Sequence, residues 1–252
     1  MNAAASHVRT RLAEVQVAVM LLTRLPAGRI AGQAPAIGQT IWAWPLVGLL
    51  VGGISASIFL LAIWFDLPRA FAAVLALAAG IATTGGLHED GLADLADGFG
   101  GGRNRDEKLG IMRDSRIGSY GVLALILALA ARGTAISASP EACAAIVGLA
   151  AASRGFLPAA ILAMPTARPD GLGRTATGGS AAPVVLSLTI GFVCLLPLGL
   201  GPAIVAMIVM AVAVTALGVI AHRQIGGQTG DVLGAMQQTA EIAGWACLLA
   251  CL

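Results

Sequence analysis

The residues best suited to chemistry lie between positions 84 and 118, in the run TGGLHEDGLADLADGFGGGRNRDEKLGIMRDSRIG. Seven of the 13 acidic residues fall there (Glu89, Asp90, Asp94, Asp97, Asp106, Glu107 and Asp114), with five of the 15 basic ones (Arg103, Arg105, Lys108, Arg113 and Arg116). Asp90, Asp94 and Asp97 recur at i, i+4 and i+7, which on a helix aligns three carboxylates along one face. Left bare, they repel one another. Hydration relieves that, and so does a hard divalent cation; Mg²⁺ in particular is held by a few carboxylates together with substrate phosphates. Gly85, Gly86, Gly91, Gly98, Gly100, Gly101 and Gly102 leave backbone amides open to close approach by an anion. The neighbouring arginines and Lys108 suit phosphate oxygens. Acids, glycines and cations together point to a metal–diphosphate site, with a hydrated loop that only sets topology as the plainer alternative. His88-Glu89 begins the zinc motif H-E-x-x-H, but Leu92 stands where the second histidine is required. His88 therefore reads as a substrate contact. Glu89, off the aspartate face, reads equally well as a solvated neighbour.

The elements that must position this island are almost wholly apolar. Of 252 residues, 58% are apolar and only 11% charged, with mean hydropathy +0.87. Soluble domains carry about 25% charged residues, so the composition predicts an all-α polytopic membrane bundle in a single domain, 1–252. A net charge of +2 argues against nucleic acid as a partner. Apolar runs predict about seven spans, at 37–65, 70–84, 119–138, 141–164, 181–200, 202–220 and 232–252. The helix at 8–25 carries Arg9, Arg11, Glu14 and Arg24 and reads as short or interfacial. Trp42, Trp44 and Trp64 near the ends of the first long span fit an aromatic belt. If spans simply alternate, the island, the loop at 166–180 with Arg168 and Arg174, the segment at 222–231 with Arg223, and residues 24–36 share one side. The opposite connections carry only Arg69, so basic-residue bias puts the shared side in the cytoplasm. Cys143, Cys194, Cys247 and Cys251 lack the two-residue spacing of zinc or redox pairs and read as small packing residues.

Several polar groups sit outside the island. Arg132 and Arg154 fall inside spans, where an unpaired arginine costs about 2.5–3.5 kcal/mol or more. Each must reach a partner such as Glu241 or a carbonyl, or else face a wet cavity near substrate. Asp231, Gly234, Gln238 and Glu241 keep a 3–4 spacing that turns one polar stripe inward, with Asp231 also a candidate helix cap. Arg24, before Pro26, is either an interface anchor or a phosphate contact.

The stretch T-G-G-L-H-x-D-G-L-A-D-x-x-D-G at 84–98, with M-x-D-S-R-I-G at 112–118, T-G-D-x-L-G-A at 229–235 and a weaker L-T-R-L-P at 22–26, resembles the cobalamin synthase family. The order of these motifs extends the resemblance over nearly the whole chain. It implies an Mg²⁺-dependent transferase, adenosylcobinamide-GDP ribazoletransferase in type, in the bacterial inner membrane with its active site toward the cytoplasm. In such a reaction a hydroxyl of α-ribazole, or of its 5′-phosphate, attacks the cobinamide-side phosphorus of adenosylcobinamide-GDP and GMP leaves. The resemblance implies Asp90, Asp94 and Asp97 as metal ligands, and Asp114 or Asp231 as proton acceptor or further ligand. Beside these, Arg24, His88, Arg113, Ser115, Arg116 and Thr229 from the motifs, and Arg154, Gln238 and Glu241 from their polar positions within spans, are the candidate substrate contacts. The protein partners the resemblance leaves open are a second copy of the chain or other enzymes of cobalamin synthesis. A transporter of corrinoids, with the island as its gate, is the competing class. A membrane scaffold, which would not require the carboxylate triplet, is the third.

Overall fold

The computed structural model describes residues 3–30, 32–168 and 180–251, and among these all regular structure is helical. We number the helices α1 Ala3–Leu22, α2 Trp44–Trp64, α3 Arg69–Thr84, α4 Leu87–Gly101, α5 Arg105–Ile111, α6 Ser119–Ala138, α7 Ala142–Ala163, α8 Ala181–Leu195, α9 Leu200–Ile225 and α10 Gly230–Cys251. Short helical turns at Ile37–Thr40 and Ile41–Ala43 lead directly into α2. Five helical stretches are long and apolar enough to cross a membrane, and six if α3 and α4 are counted as one span broken by a 90° bend. The fold is a polytopic helical bundle, as expected from composition. The segment expected as a seventh span is α10, which is less apolar; its Gln237, Gln238 and Glu241 are buried within the bundle.

Helix α7 is the centre. It packs on α2, α8 and α10, and almost every residue from Leu149 to Pro158 is buried. In a bilayer, helices associate by close backbone contact rather than by the hydrophobic effect, so small residues decide where they meet. Gly48 and Gly52, one turn apart on α2, do this against α7: a methyl group at Gly48 would lie 2.2 Å from the Ala150 carbonyl oxygen. Helices α6, α8 and α9 form the outer layer, with Leu127, Val193 and Val212 turned outward. Helix α1 lies against the start of α2 through a hydrogen bond from the Trp42 indole to Glu14 (2.6 Å), which also pairs with Arg11 (2.8 Å). Trp44 is buried as well, and only Trp64 of the expected aromatic belt is exposed.

The bundle has two distinct ends. At one, Arg69 reaches the carbonyls of Ser137 and Ser139, joining the α2–α3 turn to the α6–α7 turn. At the other, four segments distant in sequence meet. The Arg24 amide donates to the Thr83 carbonyl (2.8 Å). Thr166 and Gln228 form a parallel bridge, with the Ala167 amide on the Gln228 carbonyl and the Gln228 amide on that of Pro165. Arg105 donates to the Ala167 carbonyl (3.0 Å), and Lys108 bonds Gln224. The convergence expected from the basic residues is therefore present; Arg174 lies outside the described residues.

Candidate active site

The site begins at the bend between α3 and α4. Gly85 and Gly86 both take positive φ, +70° and +73°, a conformation glycine adopts without steric cost. The two successive left-handed residues stop α3 and start α4 at a right angle. The Arg24 side chain lies across Gly85. The pair of glycines was visible in the sequence, but nothing in it announced the bend.

Helix α4 carries all three aspartates of the triplet, as its spacing required. Asp90 is exposed, Asp94 half-buried and Asp97 buried. Asp94 has Asp90, Asp231 and Asp97 as like-charged neighbours, opposed by Arg168. Asp231 reaches this group because α10 crosses α4 at Gly91 and Gly234; a methyl group on Gly91 would lie 2.9 Å from the Asp231 carbonyl oxygen. Arg168 pairs loosely with Asp231 (3.5 Å) and donates to the Leu109 carbonyl (3.1 Å). The sequence reading used Arg168 only to orient the bundle, and its place in a polar loop gave no sign that it meets the acids. The cap of α10 is Thr229, whose hydroxyl accepts the Val232 amide (3.2 Å), so Asp231 is spared that task.

Asp97 departs from the aligned triplet. Its two oxygens accept the amides of Gly118 (2.7 Å) and Gly121 (2.9 Å), orphan donors at the start of α6. A carboxylate here also complements the helix dipole. Both glycines are pressed so close that a methyl group on either would sit 2.4 Å from Asp97. Asp97 thus ties α4 to the loop at 112–118, and Met112 packs under Gly98 at its other end.

In that loop, Asp114 is held by the side chain and backbone of Arg116, with Nη2–Oδ2 at 2.6 Å. These hydrogen bonds push its carboxyl down to about 2. A carboxylate so acidic is a poor proton acceptor at neutral pH, where a base works best with its pKa near the operating pH. Arg113, Ser115 and Arg116 are exposed on the same loop.

Three expected substrate contacts lie elsewhere. Arg154, Gln238 and Glu241 are buried in the bundle and line an internal cavity of about 30 Å³, the room of a water molecule or two. Arg132 binds Glu241 (2.8 Å), Glu89 (3.2 Å) and Gln238 (3.0 Å). Gln238 donates to Glu89 (3.0 Å), Gln237 donates to Glu241 (2.6 Å), and Arg154 donates to the Ala150 carbonyl (2.9 Å). Glu89 is thus no solvated neighbour. With Glu241 it is one of two acids in an internal network that locks α4 to α6 and α10, consistent with charged groups in spans pairing with one another.

A separate cleft of about 210 Å³ opens beside the acids. Its walls are Leu21, Leu22, Ile37, Trp44, Leu157, Ile161 and Leu233; His88, Asp90 and Asp231 supply its polar side chains. Apolar walls with a few convergent polar groups are the usual form of a small-molecule site. Among the described residues no three acidic, histidine or cysteine side chains are grouped to hold a metal by themselves. Mg²⁺ needs fewer, since it keeps waters and takes substrate phosphates around one or two carboxylates. The open group of Asp90, Asp94 and Asp231, with repulsion to relieve, fits that mode of binding.

The family model described as cobalamin-5-phosphate synthase matches residues 14–249. The chain is 45% identical to a Mesorhizobium japonicum protein named adenosylcobinamide-GDP ribazoletransferase, over 93% of this chain and 92% of that one. It is 45% identical, with the same coverage, to a Bradyrhizobium diazoefficiens protein of that name. A third, from Azorhizobium caulinodans, is 39% identical over 92% of this chain and 93% of its own. No solved structure matches. A match that spans nearly the whole chain, through the bend, the acids and the closing helix alike, makes the chain a member of the cobalamin-5-phosphate synthase family of enzymes.

Proposed function

We propose that the protein joins adenosylcobinamide-GDP to α-ribazole, or to its 5′-phosphate, with release of GMP, at the cytoplasmic face of a bacterial inner membrane. The observation that carries this reading is the meeting of Asp90, Asp94 and Asp231 beside an apolar cleft. The names of the relatives support the substrates, and the gathering of Arg24, Arg105, Lys108 and Arg168 at one end of the bundle supports the cytoplasmic side.

In the proposed reaction a ribazole hydroxyl oxygen forms a bond to the cobinamide-side phosphorus. The bond from that phosphorus to the bridging oxygen breaks, and GMP departs with the electron pair. Asp90 and Asp94, with Asp231 across from them, would hold Mg²⁺, which when bound neutralises charge on the phosphates. Asp231 either completes that metal shell or accepts the hydroxyl proton. Arg168 offsets negative charge next to the acids. Asp97 holds the loop at 112–118 against α4, bringing Arg113 and Arg116 to the same face. A transport reading is less well supported, because the polar groups gather at one end and the charges inside the bundle neutralise one another.

The test is product formation by purified protein in liposomes given adenosylcobinamide-GDP and α-ribazole. GMP and a cobalamin should appear together, only with both substrates, and should stop when Mg²⁺ is chelated. GMP formation without ribazole would contradict the transfer.

A further inference from the structure

The cleft beside the acids is small and its walls are largely apolar. A cavity of roughly 150 Å³ with apolar walls takes a single benzene ring. One of about 210 Å³ takes a somewhat larger flat ring system, and a corrin macrocycle is far beyond it. The charged side chains on its lining are Asp90 and Asp231, with no lysine or arginine among the lining residues. With Asp90 and Asp231 at its mouth turned to the cation, the remaining lining is apolar and offers no cation to a phosphate, so it suits an uncharged ring. His88 is 2% exposed and lines the cleft. An imidazole on an apolar lining can both donate and accept a hydrogen bond to a bound ring. Trp44, also buried, adds an aromatic wall, with its own indole nitrogen directed to Thr40 (3.3 Å).

Resting on the transfer reading above, we infer that this cleft is the acceptor site. It holds the azole base of ribazole between Trp44 and the aliphatic walls of α1, α7 and α10. His88 bonds the nucleoside, and the ribose is left toward Asp90 and Asp231. The corrinoid and the diphosphate of the donor stay outside, at the open face of α4 and the arginine-bearing loops. The cleft thus selects the acceptor's base.

Steady-state kinetics with each substrate varied in turn test this, in liposomes containing the full chain. Ile161→Phe narrows the cleft from within, and Leu87→Trp narrows it from an exposed position that bears little on folding. Both should raise KM for ribazole by roughly tenfold or more, as expected for a tight pocket, and leave KM for adenosylcobinamide-GDP unchanged. His88→Ala should raise the ribazole KM likewise. A rise in the donor KM alone, or no change in either with Leu87→Trp, overturns the assignment while the transfer reading stands. Absence of GMP release from the unaltered protein overturns the transfer reading itself, and this inference with it.

Discussion

At the scale of single residues, the acids of α4 separate into different tasks although they share one helix. Periodicity made the alignment of Asp90, Asp94 and Asp97 legible in the sequence. It could not show that Asp97 is spent on amides 21 and 24 positions away, because such a contact depends on how α6 is laid against α4. Replacing Asp97 with Asn should preserve membrane insertion but weaken two charge-assisted hydrogen bonds, at about 1.5–3 kcal/mol each at most. Limited trypsin digestion after Arg113 and Arg116 should then run faster than in the unaltered protein. Asp114→Asn should leave the pH–rate profile near neutrality unchanged. Its carboxyl, depressed by Arg116 to about 2, stays ionised until the pH falls toward that value, far below any working range. Arg132 is different again, because an arginine within an apolar run announced a need for partners without naming them all. Glu241 was among the partners considered; Glu89 was not, since its helix face pointed away from the aspartates. Arg132→Met should lower stability by about 3–5 kcal/mol, the usual cost of leaving buried acids unpaired, read from thermal unfolding in detergent. Arg116→Met, at an exposed pair, should change it immeasurably.

At the scale of elements, the decisive features are the right-angle bend and the crossing of α4 with α10. The apolar runs located most of the helices within a few residues. The bend escaped that reading because hydrophobicity reports what a segment faces and says nothing of the direction in which the chain leaves it. Similarly, Leu21, Trp44, Leu157 and Ile161 look like residues of any membrane helix, so the cleft they build had no signature of its own. The inward stripe on α10 was legible, but its members divide between two cavities: Asp231 and Gly234 face the cleft, while Gln238 and Glu241 face the internal network. Gly91 is where the two helices touch. A methyl group there must push α10 away and carry Asp231 from Asp94. Gly91→Ala should therefore reduce turnover by roughly tenfold or more, in keeping with the cost of about 1 Å of misplacement, with helix content and insertion intact by circular dichroism and membrane fractionation.

At the scale of the whole molecule, charges are concentrated at one end of an apolar bundle and closed into a neutral network at its centre. The four-way convergence was readable from the alternation of spans, which needs no knowledge of packing. The side on which it faces is a matter of the surrounding membrane. In a variant with all four cysteines replaced, Ser115→Cys should react with a membrane-impermeant maleimide in inverted vesicles and resist it in spheroplasts. The reverse pattern would place the site outside the cell. The most direct test of the central claim is GMP release by Asp94→Asn in liposomes, measured with both substrates and Mg²⁺ at saturation. If the acids of α4 and α10 form the reaction site, turnover falls on the order of 10²-fold or more, as when a charge-stabilising group is lost, with insertion and stability unaltered. GMP release at the rate of the unaltered protein would contradict the account.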